Sequence, residues 1–322
     1  MLTQRLIQEA AVFLKGKVRH SPIEYSPVLS EKIGVKVHFK LECLQVTGSF
    51  KIRGSFFALS RRREECRNGV ATCSAGNHGK GIAYAARKLG IPATIFVPAG
   101  IEEAKYRAMI GMGSAVRKSE YTGFDDTEAW ARQEAEKAGL PFISAYDDED
   151  IMAGNGGTLA MEVLADVPEA KTFILPVGGG GLAGGFSYYM KACVPDASFI
   201  GCQHEASPAL SLSLEQGEAV TTLPGIETLA GGLEGGIGET PFEVLQNHIC
   251  HVALCSEKAI REGVLWMMVH HQYLIEPSSA VTIAACLSGT LPISDEPVVV
   301  VITGRNMSLN TLRTVLKRKP PL

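Results

Sequence analysis

The chain has 322 residues, 46% of them hydrophobic, with 31 Lys and Arg against 34 Asp and Glu for a formal net charge of -3. That length supports one large or two medium domains with a well-buried core, and the charge balance supplies neither a basic field for nucleic acid nor a polybasic segment for a membrane surface. A small molecule is the expected partner. The eight cysteines, at 43, 66, 73, 193, 202, 250, 255 and 286, form no CxxC pair and lie mostly in apolar segments. They read as reduced thiols of a cytoplasmic protein. Residues 1–15 are amphipathic but interrupted by Gln4, Arg5, Gln8 and Glu9, unlike a signal peptide, and no apolar run approaches a membrane span.

In chain order, residues 3–15 read as a helix, 21–27 as extended chain and turns around Pro22 and Pro27, and 35–41 as a strand with one buried face. A helix follows Lys51 and ends in the basic run Arg61, Arg62, Arg63, where a helix C-terminus favours positive charge. A strand-then-helix rhythm then runs to about residue 145: strands at 70–73, 93–97 and 115–117, helices to 89, to 111 or 113, and from 127 to 138. The second half repeats it, with a helix at 151–164, a buried strand at 172–177, a helix at 182–192 and a strand at 198–202. A helix, a glycine-rich stretch at 225–238, a strand-like 251–254, a helix at 257–271 and a last central strand at 298–303 complete the pattern. Strands separated by helices of this length make parallel βαβ units, and two α/β lobes leave a cleft for a ligand.

Four stretches carry chemistry. Lys51, in Gly48-Ser49-Phe50-Lys51-Ile52-Arg53-Gly54, stands between apolar neighbours where a turn becomes a helix. Lost hydration there disfavours the ammonium, and a neutral amine is a nucleophile. Ser74-Ala75-Gly76-Asn77-His78-Gly79 joins a strand to a helix. Its amides suit a carboxylate and the Asn77 amide a phenolic oxygen, although a plain turn capped by Ser74 has the same sequence signature. Gly178, Gly179, Gly180 and Gly181 open another helix and expose consecutive amides to an anion such as phosphate. No lysine-serine/threonine pair follows, so this is not a nucleotide-binding P-loop; the alternative is a tight packing turn. Thr303 places a neutral hydroxyl at the carboxyl end of a central strand, where ligands of open α/β sheets lie. Together these stretches suit a phosphorylated aldehyde, pyridoxal phosphate.

The five motifs GSFKIRG at 48–54, SAGNHG at 74–79, GGGGL at 178–182, EPSSA at 276–280 and TGRN at 303–306 occur in one order and spacing. In this the chain resembles the fold-type II pyridoxal-phosphate enzymes, in their threonine/serine dehydratase branch, which includes serine racemases. The resemblance implies a two-lobed, tryptophan synthase beta-like α/β fold with parallel-rich sheets flanked by helices. Residues 1–66 and 152–322 would form a large cofactor-binding domain, and 67–151 a small domain for the substrate carboxylate. It implies that Lys51 bonds the cofactor aldehyde and Phe50 lies by the ring. Asn77 would meet the ring oxygen, Gly178, Gly179, Gly180, Gly181 and Leu182 the phosphate, and Thr303 the pyridine nitrogen. Ser74, Ala75, Gly76, Asn77 and His78 would hold the substrate carboxylate. The implied activity is α,β-elimination on L-threonine, then L-serine, in a homodimer.

The same resemblance leaves rivals: a 3-hydroxyaspartate or phenylserine dehydratase, a serine racemase, and a non-catalytic sensor. Ala75 stands where racemases carry a serine able to deliver a proton. An acidic substrate would call for a cation such as Arg305 or Arg53, and Arg305 could alternatively pair with Glu276. The divalent-cation site of racemase-like members resembles Glu205, the Ala209 carbonyl and Ser211. Serine at the third place removes one hard anionic oxygen and leaves Glu205 open as ligand or as solvated loop carboxylate. The chain stops soon after Asn306 and a final helix, so no appended regulatory domain is expected.

Overall fold

A computed structural model describes residues 1–293 and 297–317. Nine strands are present among them: β1 Ile23–Tyr25, β2 Val37–Leu41, β3 Val70–Cys73, β4 Ala93–Val97, β5 Ala115–Lys118, β6 Thr172–Pro176, β7 Ser198–His204, β8 Ile249–Cys255 and β9 Val298–Ile302. They form a six-stranded sheet of order β1-β2-β9-β6-β7-β8 and a three-stranded sheet of order β3-β4-β5. Every pairing is parallel except β1 with β2. The mostly parallel, helix-flanked α/β architecture expected from the resemblance is the one observed.

The apolar runs of β6 and β9 explain their central place, because each residue in them is buried. Such runs need cover on both faces. Val298, Val300 and Ile302 face a core shared with the helices Glu257–His271 and Pro277–Leu287. Val299 and Val301 face the opposite core, with the helices Thr158–Asp166, Gly181–Cys193 and Glu239–Leu245. The smaller sheet packs Val70 and Ala93 against the helices Lys51–Arg61 and Asn77–Leu89, and Ala71 and Phe96 against Phe124–Lys137.

Three differences from the sequence reading have local causes. The helix Pro27–Ile33 begins at a proline that reads as a break, because proline is well suited to the first helical turn, where no N–H is needed; the helix Pro277–Leu287 begins the same way. The helix expected at 151–164 runs from Glu149 to Asp166 through a π-helical segment, Ala153–Gly157. There Asn155 leans out to accept a hydrogen bond from the Gly54 amide at 2.8 Å. Strands β7 and β8 each extend beyond their expected limits, pairing with one another over their length. No helix of the described residues is long and apolar enough to cross a membrane.

Candidate active site

The start of the helix Lys51–Arg61 is zipped to the end of β9. The Phe50 amide donates to the Thr303 carbonyl at 3.1 Å, Ser49 bridges Gly304, and the Arg305 amide donates to the Gly48 carbonyl at 2.9 Å. Lys51 and Thr303, 252 positions apart in the chain, thus share one corner. The Lys51 amine donates to the Ala145 carbonyl at 2.6 Å and lies 5.2 Å from the Phe50 ring centre. Burial pulls its pKa down to about 8. No carboxylate makes an ion pair with it among the described residues, so nothing offsets that burial.

The glycines 178–181 follow β6 and lead into the helix Gly181–Cys193. Each position excludes a side chain for its own reason. A methyl group on Gly178 would strike the Gly232 carbonyl, one on Gly179 the ring of Tyr146, and one on Gly181 the Tyr146 backbone; Gly180 has a left-handed φ of +88°. The result is bare backbone at a helix N-terminus, which suits an anion.

The turn 74–79 follows β3 and opens the helix Asn77–Leu89. Ser74 Oγ accepts from the Gly76 amide at 3.1 Å. The Asn77 amide donates to Glu276 at 2.6 Å and accepts from Asn306 at 2.7 Å. His78 is buried, and neither ring nitrogen has a partner in hydrogen-bonding geometry. Burial first, then the Lys51 ammonium, pushes its pKa down to about 3 against a weak pull from the Ile143 backbone, so the imidazole is neutral. Burial likewise pushes the Glu276 carboxyl up to about 7, against the Asn77 hydrogen bond and the fields of Lys105 and Lys80.

All these elements open onto one cavity of about 500 Å³. Phe50, Lys51, Ser74, Ala75, Gly76, Asn77, His78, the glycines 178–181, Leu182 and Thr303 all line it. A buried amine, a side-chain-free anion cradle and a strand-end hydroxyl around one space fit a phosphorylated pyridine aldehyde. Residues 14–304 match the family of pyridoxal-phosphate dependent enzymes. The chain belongs to that family.

Relatives of this pyridoxal-phosphate enzyme agree with its architecture. An L-threonine ammonia-lyase of Geobacter sulfurreducens is 35% identical over 322 residues, covering 99% of this chain and 79% of that protein. The structure of maize serine racemase superposes with a TM-score of 0.91 at 28% identity, over 97% of this chain and 96% of that one. The processed form of threonine deaminase isoform 2 from Solanum lycopersicum gives 0.89 at 30% identity, over 98% and 92%.

Other expected residues lie elsewhere in the enzyme. Arg53 does not face the cavity: its buried guanidinium is held by Glu42 at 2.8 Å and Glu162 at 2.7 Å. Arg305 is exposed, and Glu276 accepts from the Asn77 side chain and the Asn306 backbone. Glu205 is exposed beyond β7, the Ala209 carbonyl accepts from Ser213 Oγ at 2.6 Å, and the Ser211 amide donates to Gln203 Oε1 at 3.1 Å. None of these three lines the cavity, and among the described residues no three His, Cys, Asp or Glu side chains are placed to hold a metal. Tyr146, Lys80 and the inward-turned Glu276 were not assigned to the cavity by the sequence. Lys80 had a usable signal, since it falls three residues after Asn77 on the same helix.

Proposed function

We propose that the enzyme converts L-threonine, and L-serine more slowly, to a 2-oxo acid and ammonia by α,β-elimination. The convergence of Lys51, both glycine-containing turns and Thr303 on one cavity carries the reading, and the kinship with an L-threonine ammonia-lyase supplies the substrate. When bound, pyridoxal phosphate supplies an electron sink for the bonds at Cα of an attached amino acid. The amides of residues 178–181, with that of Leu182, would hold the phosphate. Phe50 would flank the ring, the Asn77 amide would donate to the ring oxygen, and Thr303 would offer the pyridine nitrogen a hydroxyl that adds no charge.

Ser74, Ala75, Gly76, Asn77 and His78 receive the substrate carboxylate, their amides and neutral side chains adding hydrogen bonds without a competing negative charge. Lys51 Nζ takes the proton from Cα, a task for which its lowered pKa leaves a neutral fraction near neutral pH. With an uncharged Thr303 rather than a carboxylate at the pyridine nitrogen, charge developing at Cα is best relieved by prompt loss of the β-hydroxyl. Racemisation needs a second proton donor on the other face, and the methyl group of Ala75 cannot serve. The likeness to maize serine racemase therefore speaks for the fold of this chain rather than for that activity.

The division into residues 1–66 with 152–322 and 67–151 belongs to the same proposal. Its support is that β3, β4 and β5 make a sheet of their own. A cytoplasmic homodimer completes the reading. The test is release of 2-oxobutanoate and ammonia from L-threonine by the holoenzyme, with Lys51→Ala as control. The variant is expected to lose at least about a thousandfold in rate. A wild type that carries the cofactor yet leaves L-threonine untouched would overturn the substrate assignment.

A further inference from the structure

One carboxyl group in the cavity wall has no part in the steps above. Glu276 stands at the N-cap of the helix Pro277–Leu287, yet its side chain makes no capping bond there. It turns instead toward the cavity, packs on Gly304, where any side chain would collide with it, and accepts from Asn77 Nδ2 at 2.6 Å. The other end of the same amide is also engaged: Asn77 Oδ1 accepts from Asn306 Nδ2 at 2.7 Å. Asn306 Nδ2 gives its second hydrogen to the Thr47 carbonyl at 2.9 Å, and Asn306 Oδ1 accepts from Lys80 Nζ at 2.8 Å.

This makes a directed chain, Lys80 to Asn306 to Asn77 to Glu276. An ammonium only donates and an ionised carboxylate only accepts, so with Glu276 ionised the two ends dictate which way both amides between them face. Turning over either amide would set donor against donor and acceptor against acceptor. The arrangement also leaves one Asn77 N–H with no partner among the described residues, on a residue that lines the cavity.

We infer that Glu276 is a positioning residue: it fixes the Asn77 amide so that the remaining N–H is presented to the ring oxygen of pyridoxal phosphate. The inference rests on the proposed place of that oxygen at Asn77. Glu276 itself touches Asn77, Gly304 and the Asn306 backbone, and its effect on the cofactor is transmitted through Asn77, both directly and by way of Asn306. A glutamine at 276 keeps an acceptor oxygen for Asn77, whereas an alanine keeps none.

The test compares holoenzyme carrying Glu276→Gln or Glu276→Ala with wild type, reading the visible absorption band of the bound cofactor and the affinity for pyridoxal phosphate. Glu276→Ala is expected to shift the band and its pH dependence and to weaken cofactor binding about tenfold, the scale of one charge-assisted hydrogen bond. Glu276→Gln should restore most of both. Lys80→Met, at the far end of the chain, should shift the band in the same direction but less, because Thr47 still holds Asn306; it serves if the alanine variant fails to fold. A wild-type band and affinity in folded Glu276→Ala, or in Lys80→Met if that alone folds, would overturn the inference. So would equal losses in the glutamine and alanine variants. A wild-type protein that takes up no pyridoxal phosphate would overturn the cofactor reading and this inference with it, an outcome distinguishable because the parent protein fails.

Discussion

The two strand-to-helix turns that line the cavity differ in how far packing dictates their shape. The glycines 178–181 owe their shape to what surrounds them: Tyr146, Gly232 and Pro241 occupy the space a side chain would need. The turn 74–79 is closed in only at its helical end, where the Ser74 carbonyl stands against Gly79; its exposed part owes its shape to its own polar side chains, Ser74 to Gly76 and Asn77 to Glu276 and Asn306, and the space beside Gly76 is open for 4 Å. A cradle defined by exclusion fits one anion and resists change, because close-packed neighbours cannot give way. A turn held by hydrogen bonds can be re-aimed by substituting one partner. The contrast suits a site that must hold one cofactor permanently and exchange substrates repeatedly.

The largest effect expected lies between the turns, at Lys51. Burial lowers its folded pKa from 10.5 to about 8, so the neutral fraction rises with pH and levels off above 8. The rate at which apoprotein captures pyridoxal phosphate should therefore climb about fiftyfold from pH 6 to pH 8 and at most about twofold more beyond it, followed by the growth of visible absorbance. A rise continuing unchanged to pH 10 would mean an ordinary, hydrated lysine. The same depression has a sign for stability: the charged lysine is disfavoured in the folded state, so this residue detracts from stability below about pH 8 and the deficit fades as pH rises toward 10.5.

Next comes the excluded-space turn. Gly179→Ala drives a methyl group into the Tyr146 ring and should cost about 1–3 kcal/mol of stability, with at least about a tenfold loss of cofactor retention through dialysis. Adding Tyr146→Ala should recover part of that loss, which would attribute it to the clash. At the polar turn, Ser74→Ala removes the acceptor for the Gly76 amide and should raise the KM for L-threonine about fivefold while leaving cofactor retention unchanged. Gly76→Ala, with no neighbour to strike, should change either quantity less than about twofold. Equal damage from the alanines at 76 and 179 would erase the distinction between the turns.

The local part of this design was legible in the sequence. Lys51, the SAGNHG turn, the tetraglycine and Thr303 each stand at a strand–helix junction, where chemistry and local pattern coincide. What could not be read depends on partners far along the chain. Asn77 and Glu276 are 199 residues apart, and nothing local to Gly179 announces that Tyr146 will stand against it. The π-helical turn at Ala153–Gly157 likewise follows from Asn155 reaching the Gly54 amide across a packed interface, while its sequence reads as helix interrupted by glycine. Arg53, a candidate cation only for an acidic substrate, points away from the cavity because two residues along a helix from Lys51 turn the side chain elsewhere.

The place Arg53 does take has a use for protein engineering. Two residues after Lys51, Arg53 is clamped by Glu42 and Glu162, and Glu162 in turn holds Lys40 of β2 at 2.8 Å. Deleting one member would strand buried charge, so the clamp tolerates little variation. It indexes the lysine-bearing helix to the six-stranded sheet and to the helix Thr158–Asp166. Ala104, Lys105, Ala108, Met109, Thr122 and Phe124 line the cavity from a different part of the chain and have no bond to that clamp among the described residues. A library meant to alter which amino acid is accepted can be confined to those positions, with the registration of the reactive amine left outside the design space.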